Sequence, residues 1–220
     1  MEKMLSLTLN DPRVVTLCKQ DSRLGELIHC IGDLTTQLRT NYFDSLISSI
    51  IGQQLSVKAA ATIRRRVIEA VPEFTPDTIY NTEDKVFRSA GVSLSKISYM
   101  KDLCLKVMQG EIHLEQLHLL EDEEVIKALT TVKGIGKWTA EMFLIFSLGR
   151  MNVLSFGDAG LQRAAQWLYE LEERKDRKYL EQCAHKWEPY CTAASLYLWE
   201  AINQGYVDCG KSITDIKLMT

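Results

Sequence analysis

The sequence predicts an all-α fold on three observations. Only 4 Pro and 12 Gly punctuate 220 residues, too few breakers for a many-turned β fold. Apolar residues recur at helical spacing along most of the chain, and no segment reads as a strand. Hydrophobic residues make up 46% and charged residues 25%, ordinary values for a chain that buries a core. The net charge of −3 argues against a polyanion binder held by a broad field of Lys and Arg. A local basic face, or a site built from backbone amides, stays open.

Phe43, Leu46, Ile47, Ile50 and Ile51 form the first apolar stripe, interrupted at Gly52-Gln53-Gln54-Leu55. Ser56 caps a second helix to about Val71, with Val57, Ala60, Ile63 and Val67 as its apolar face, and Pro72 stops it. Thr75-Pro76 opens a short helix, Pro standing at the first helical position. Thr82 and Ser95 are cap candidates before helices near 83–89 and 96–109. The acidic run Glu121–Glu124 complements the dipole of a helix to about Thr131. Lys137 to Leu148 is apolar all round near Met142–Phe146 and predicts a buried central helix. Helices near 159–172, 176–187 and 190–203 complete the chain.

No apolar run approaches the roughly 18 residues of a membrane helix. Met1–Asn10 lacks the apolar region and cleavage site of a signal peptide. The expected location is therefore cytoplasmic, nucleoid-associated in a bacterium or nuclear in a eukaryote, with no membrane partner. The cysteines, Cys18, Cys30, Cys104, Cys183, Cys191 and Cys209, contain no C-x2-C pair, so no zinc or iron–sulfur pattern is visible. They read as free thiols packed as small hydrophobes. The four histidines show no catalytic or metal-binding spacing, and His113 and His118 read as exposed.

The sharpest local signal is Leu129-Thr-Thr-Val-Lys-Gly-Ile-Gly-Lys-Trp-Thr-Ala140. Gly134 can take positive φ and reverse the chain. Ile135 can plug the turn into its flanking helices, and Gly136 lets a ligand approach the backbone. The amides of 134–139, Gly134, Ile135, Gly136, Lys137 and Thr139 among them, then sit at a helix N-terminus that favours an anion, expected to be a phosphate. A second signal, Phe156-Gly-Asp-Ala-Gly-Leu161, places one carboxylate between glycines, 22 residues after Gly136. Asp158 is a natural N-cap there.

The Gly-Ile-Gly turn resembles the helix–hairpin–helix motif of DNA repair proteins. The spacing to Asp158 is similar to that between hairpin and essential Asp in the helix–hairpin–helix superfamily of base-excision DNA glycosylases. Leu46–Val57 resembles the helix and DNA-probing loop of that family. Gly91-Val-Ser-Leu-Ser-Lys96 with Tyr99 resembles its central segment, and Trp187-Glu-Pro-Tyr190 through Trp199 its last-helix signature. The matches run in the family's order from about 41 to 200, and the nearest resemblance is to the 3-methyladenine DNA glycosylase II branch.

The resemblance implies the DNA glycosylase fold, a two-lobed helical bundle, with a lobe at 41–150 ending in the hairpin at about 121–148. It implies a second lobe from 1–40 plus 151–220, and Asp158 facing a cleft between them. It implies hydrolysis of the N-glycosidic bond of alkylated purines in double-stranded DNA by a monomer in base excision repair. Asp158 would be catalytic; Trp138, Met142 and Trp199 would receive the base; Trp167 and Trp187 read as packing. Gln53, Gln54 and Leu55 would enter the duplex, with either Gln54 or Leu55 as the probe. Lys137, and less directly Lys96 and Arg163, would supply cations. Trp138 stands where strand-cutting relatives carry Lys, which implies water as nucleophile and no lyase step. The family's iron–sulfur loop is absent, so no cofactor is expected. The carbonyls of Thr130, Val132 and Ile135 could hold a structural Na+ or K+. Met142, Gln54 and Cys191-Thr192 depart from common family residues and leave the lesion range open. The alternatives are a glycosylase for another damaged or mismatched base, or a non-catalytic helix–hairpin–helix DNA-binding protein.

Overall fold

A computed structural model of the chain describes residues 3–171 and 178–218. Helices dominate, but two short strands correct the expectation of none. β1 (Lys3–Leu7) and β2 (Leu34–Leu38) pair antiparallel, from Lys3 opposite Leu38 to Leu7 opposite Leu34. Leu5, Leu7 and Leu38 turn inward, so a ribbon too short to stand alone is held by its packing. The chain divides into two compact units, one running to Leu38 and resuming at Gly149, the other spanning Arg39–Leu148.

The first unit begins with α1 (Pro12–Gln20) and α2 (Ser22–Ile31), capped by Asp11 and Asp21. Asp21 is 5% exposed, and a buried carboxylate without partners would cost several kcal/mol. It has three: Leu24 N donates to Oδ1 at 3.1 Å, while the Tyr169 hydroxyl (2.5 Å) and Trp187 Nε1 (3.2 Å) donate to Oδ2. Burial, and then the neighbouring Asp21 charge, push the Tyr169 hydroxyl well above its ordinary pKa, so it stays a donor. The unit continues with α10 (Ala159–Leu168), α11 (Lys178–Trp187), α12 (Cys191–Asn203), a 3₁₀ turn at Tyr206–Asp208 and α13 (Ile213–Lys217). The predicted start of α11 at 176, and the predicted end of α10 at 172, lie outside the described residues. α12 is the unit's axis, buried without interruption from Cys191 to Leu198. Trp187 is fully buried, and half-buried Trp167 donates its Nε1 to the Lys211 carbonyl at 2.8 Å. Burial pushes the Cys183 thiol up to about 11 and that of Cys191 to about 12, which fits inert packing.

The second unit opens with α3 (Tyr42–Gly52), whose apolar stripe is buried as its spacing predicts. α4 (Val57–Ala70) follows its Ser56 cap, and Val67 is buried. Val57 is not on the apolar face: it is 88% exposed. First-turn side chains lean back past the helix end, and the residues there, Gln54–Ser56, are themselves exposed. α5 (Pro76–Asn81) starts at the Thr75 cap, but α6 (Asp84–Ala90) starts from Glu83, because Thr82 closes α5 instead. α7 (Leu94–Met108) starts from Ser93 rather than Ser95, once Gly91 in the left-handed region has ended α6. A 3₁₀ turn at Leu114–Leu119 carries His113 and His118 exposed, and α8 (Asp122–Leu129) begins with a Glu121/Glu124 capping box. The predicted helix at 137–148 is α9 (Lys137–Phe143) continued by a π turn at Leu144–Leu148. Among the described residues no helix is long and apolar enough to cross a membrane.

Candidate functional site

In the second unit the sequence between α8 and α9 folds as the hairpin its glycines predict. Val132 N donates to the Leu129 carbonyl and Ile135 N to the Val132 carbonyl, both at 3.1 Å. Val132 and Ile135 are buried, which seats the turn on the helices. Gly134 has φ of +77°, and a Cβ there would run into the ring of Tyr99. Both backbone and space therefore demand glycine. Gly136 differs: its φ is −91°, and nothing lies within 4 Å of a Cβ built on it. It is the N-cap of α9 and makes no side-chain cap bond. The first-turn amides have no acceptor within the helix, and the positive end of the dipole there favours an anion. Lys137 stands beside it, 60% exposed and 3.7 Å from the Glu141 carboxylate. Thr139 is buried, Trp138 is 49% exposed, and Met142 lies one turn on, half-buried.

The Gln53-Gln54-Leu55 loop joins this hairpin. Gln53 Nε2 donates to the Gly134 carbonyl at 2.7 Å. Gln54 has φ of +56°, and Leu55 N donates back to the Gly52 carbonyl at 3.1 Å, so the loop turns sharply with Gln54 and Leu55 exposed. Lys96 Nζ donates to the carbonyls of Ile51 and Gln53, 2.7 Å each. This corrects its sequence reading as a cation for a ligand: the ammonium is used inside, on the last carbonyls of α3, where the dipole favours it. Burial lowers its pKa from the ordinary lysine value. Three of the segments singled out by resemblance, the hairpin, Leu46–Val57 and Gly91–Tyr99, thus meet through Gln53, Lys96 and Tyr99.

In the first unit Asp158 is the N-cap of α10. Leu161 N donates to Oδ1 at 2.8 Å, and Trp199 Nε1 donates to the same oxygen at 3.3 Å. Gly160 leaves room for this pair: a Cβ there would stand 3.0 Å from Asp158 Oδ1. Asp158 N donates to the Ser155 carbonyl at 3.1 Å, and Gln162 Nε2 donates to the Phe156 carbonyl at 2.7 Å. The turn is therefore rigid, and it presents a half-buried carboxylate against an indole. Arg163 Nη1 lies 3.0 Å from the Asp208 carboxylate, both side chains being exposed. Gln162 escaped the sequence reading. Gln162 stands four residues after the cap, the spacing that brings a helical side chain back over its own start.

The family model described as HhH-GPD superfamily base excision DNA repair protein matches residues 47–189. The solved structure of a DNA-3-methyladenine glycosidase from Bacillus halodurans is 42% identical, with a TM-score of 0.86 over 96% of this chain and 97% of that one. DNA-3-methyladenine glycosylase 1 of Schizosaccharomyces pombe is 32% identical over 90% of this chain and 89% of its own length. That yeast enzyme, solved in complex with abasic DNA, aligns with a TM-score of 0.75 over 86% of this chain and 95% of that one. The Bacillus subtilis protein YfjP is 32% identical over 73% of this chain, which spans only 58% of that relative's length.

Proposed function

The chain belongs to the HhH-GPD superfamily of base excision DNA repair proteins, and from that premise we propose that it is a monofunctional DNA glycosylase releasing alkylated purines, of the 3-methyladenine and 7-methylguanine type, from double-stranded DNA. The observation that carries the reading is the fixed Asp158 carboxylate against the Trp199 indole. The names of the Bacillus halodurans and fission yeast relatives support the substrate class.

The hairpin amides from Gly134 to Thr139 hold a phosphate, and the Gln53–Leu55 loop enters the duplex. The flipped nucleotide costs a few kcal/mol to extrude, least where the pair is damaged. Trp138, Met142 and Trp199 are the side chains that receive the base. N3- or N7-methylation leaves the purine cationic, so an aromatic face attracts it by about 0.5–2 kcal/mol over a normal base. The cationic base is already a good leaving group and needs no general acid. Asp158 stabilises the positive charge that develops on the sugar and helps to orient the attacking water. Trp138 carries no amine, so no Schiff base forms with the sugar and the abasic strand stays intact. The enzyme acts as a monomer and needs no cofactor. A Na+ or K+ fits the hairpin in kind: the carbonyls of Thr130, Val132 and Ile135 are neutral donors, and the Val132 oxygen keeps a lone pair beyond its bond to Ile135 N. The ion would brace the turn and take no part in the chemistry.

The test is chromatography of bases released from methylated DNA, followed by borohydride treatment of the reaction. Free 3-methyladenine and 7-methylguanine with no trapped protein–DNA adduct is the expected result. Release of only deaminated or mismatched bases would overturn the substrate class, and a trapped adduct would overturn the water mechanism.

A further inference from the structure

Thr192 stands in the first turn of α12 and is fully buried. Its hydroxyl donates to the Arg150 carbonyl at 2.7 Å and accepts from Val153 N at 3.1 Å. Its own amide donates to the Met151 carbonyl at 2.9 Å. Three bonds from one residue thus fix segment 150–153. The same chain reaches Asp158 five residues later, through buried Val153, Leu154 and Ser155 and the bond from Asp158 N to the Ser155 carbonyl. Two turns along α12 from Thr192, and so on the same face, Trp199 Nε1 meets Asp158 Oδ1. One rigid helix therefore grips both ends of the loop that carries the carboxylate.

Resting on the glycosylase reading for its catalytic consequence, we infer that Thr192 is a positioning residue that sets Asp158 against Trp199. Only a hydroxyl can serve, because the atom must donate to one backbone group and accept from another. Valine has nearly the same shape but leaves the Arg150 carbonyl and the Val153 amide without this partner in the interior. Serine keeps both bonds. Ser195, one turn on, is an internal control. It too is fully buried on α12, but its hydroxyl donates to the Cys191 carbonyl within the helix at 2.9 Å rather than to a loop.

The experiment compares Thr192→Val, Thr192→Ser and Ser195→Ala with the wild type, all kept well below their unfolding temperatures. One readout needs no activity: the hydrogen-exchange rate of the Trp199 indole N–H, its NMR signal assigned with Trp199→Phe. The other is single-turnover release of 3-methyladenine at saturating DNA. Thr192→Val should speed Trp199 N–H exchange and slow base release by about tenfold or more, as expected when a reacting group is misplaced by a fraction of an ångström. Thr192→Ser should restore both, and Ser195→Ala should change neither, whatever it does to the melting temperature. Unchanged N–H exchange in a folded Thr192→Val protein would overturn the inference. So would an equal effect of Ser195→Ala on either readout. If the wild type releases no base while the exchange pattern holds, the glycosylase reading fails and the positioning of Asp158 by Thr192 stands.

Discussion

Two helix starts in this chain are built alike and end in opposite electrostatics. α9 and α10 each follow a glycine-bearing turn, and each turn is tied by a glutamine amide, Gln53 to the Gly134 carbonyl and Gln162 to the Phe156 carbonyl, at 2.7 Å in both cases. The N-cap separates them. Gly136 brings no capping side chain to α9, so the positive end of its dipole favours an anion. Asp158 caps α10 with a carboxylate, which meets the dipole and leaves negative charge at the turn, suited to a cation such as a developing oxocarbenium. One side chain decides whether the same local architecture offers positive or negative charge.

The comparison breaks most visibly at Asp158. Asp158→Asn keeps a good N-cap and the size of the side chain while removing its charge. Base release in single turnover should fall by about 10²- to 10³-fold, the loss typical of one aimed electrostatic group. Affinity for abasic DNA should hold, because the proposed phosphate grip belongs to α9; full activity, or a parallel loss of binding, would dissolve the distinction. The converse change is Gly136→Asp, which gives α9 the cap that α10 has. The site is open and its φ is ordinary, so the fold should gain a few tenths of a kcal/mol at most. DNA affinity, read by fluorescence anisotropy, should drop by about tenfold or more as like charges meet. Gly134→Ala is a different experiment: positive φ and the Tyr99 ring make it a stability mutation, of about 1–3 kcal/mol in urea unfolding.

Both helix starts were legible in the sequence because glycine and a capping carboxylate act locally. The Ser56 and Thr75 caps were legible for the same reason. Ser95 and Thr82 misled because each has a competing neighbour, Ser93 and Glu83, and the choice is made by where the preceding helix stops. The β1–β2 ribbon was not legible. β2, Leu-Thr-Thr-Gln-Leu, carries apolar residues only at its ends, and its partner lies about thirty residues away. Lys96 was misread for a related reason. A lysine's charge suggests solvent, while the carbonyls that hold it belong to residues 45 and 43 positions earlier. The partner of Arg163, Asp208, is equally remote, 45 residues on. Long-range polar partners leave no periodic trace.

Lys96 also sharpens the comparison, because it braces the loop beside α9. Lys96→Met keeps much of the stem and removes the two bonds to the Ile51 and Gln53 carbonyls. Leaving partly buried acceptors unmet costs about 1–3 kcal/mol, which urea unfolding would register. Abasic-DNA affinity should fall by severalfold as the Gln53–Leu55 loop loosens, while the single-turnover rate at saturating DNA stays near that of the wild type.

The smallest effects, and the finest test, come from the two glutamines. Gln53→Met and Gln162→Met each remove one amide-to-carbonyl bond and keep an unbranched side chain of similar length. A single such bond contributes about 0.5–1.5 kcal/mol net, and the exposed setting of Gln53 places it at the low end. Gln53→Met frees the Gly134 carbonyl and should weaken abasic-DNA binding by about two- to fivefold with little change in the rate of base release. Gln162→Met frees the Phe156 carbonyl two residues before Asp158 and should do the reverse. The two bonds share no partner, so the double variant should show both losses unchanged and simply combined. If either glutamine moved both quantities together, binding and chemistry would not be divided between the two helix starts, and the contrast between a bare and a carboxylate-capped N-terminus would lose its functional meaning.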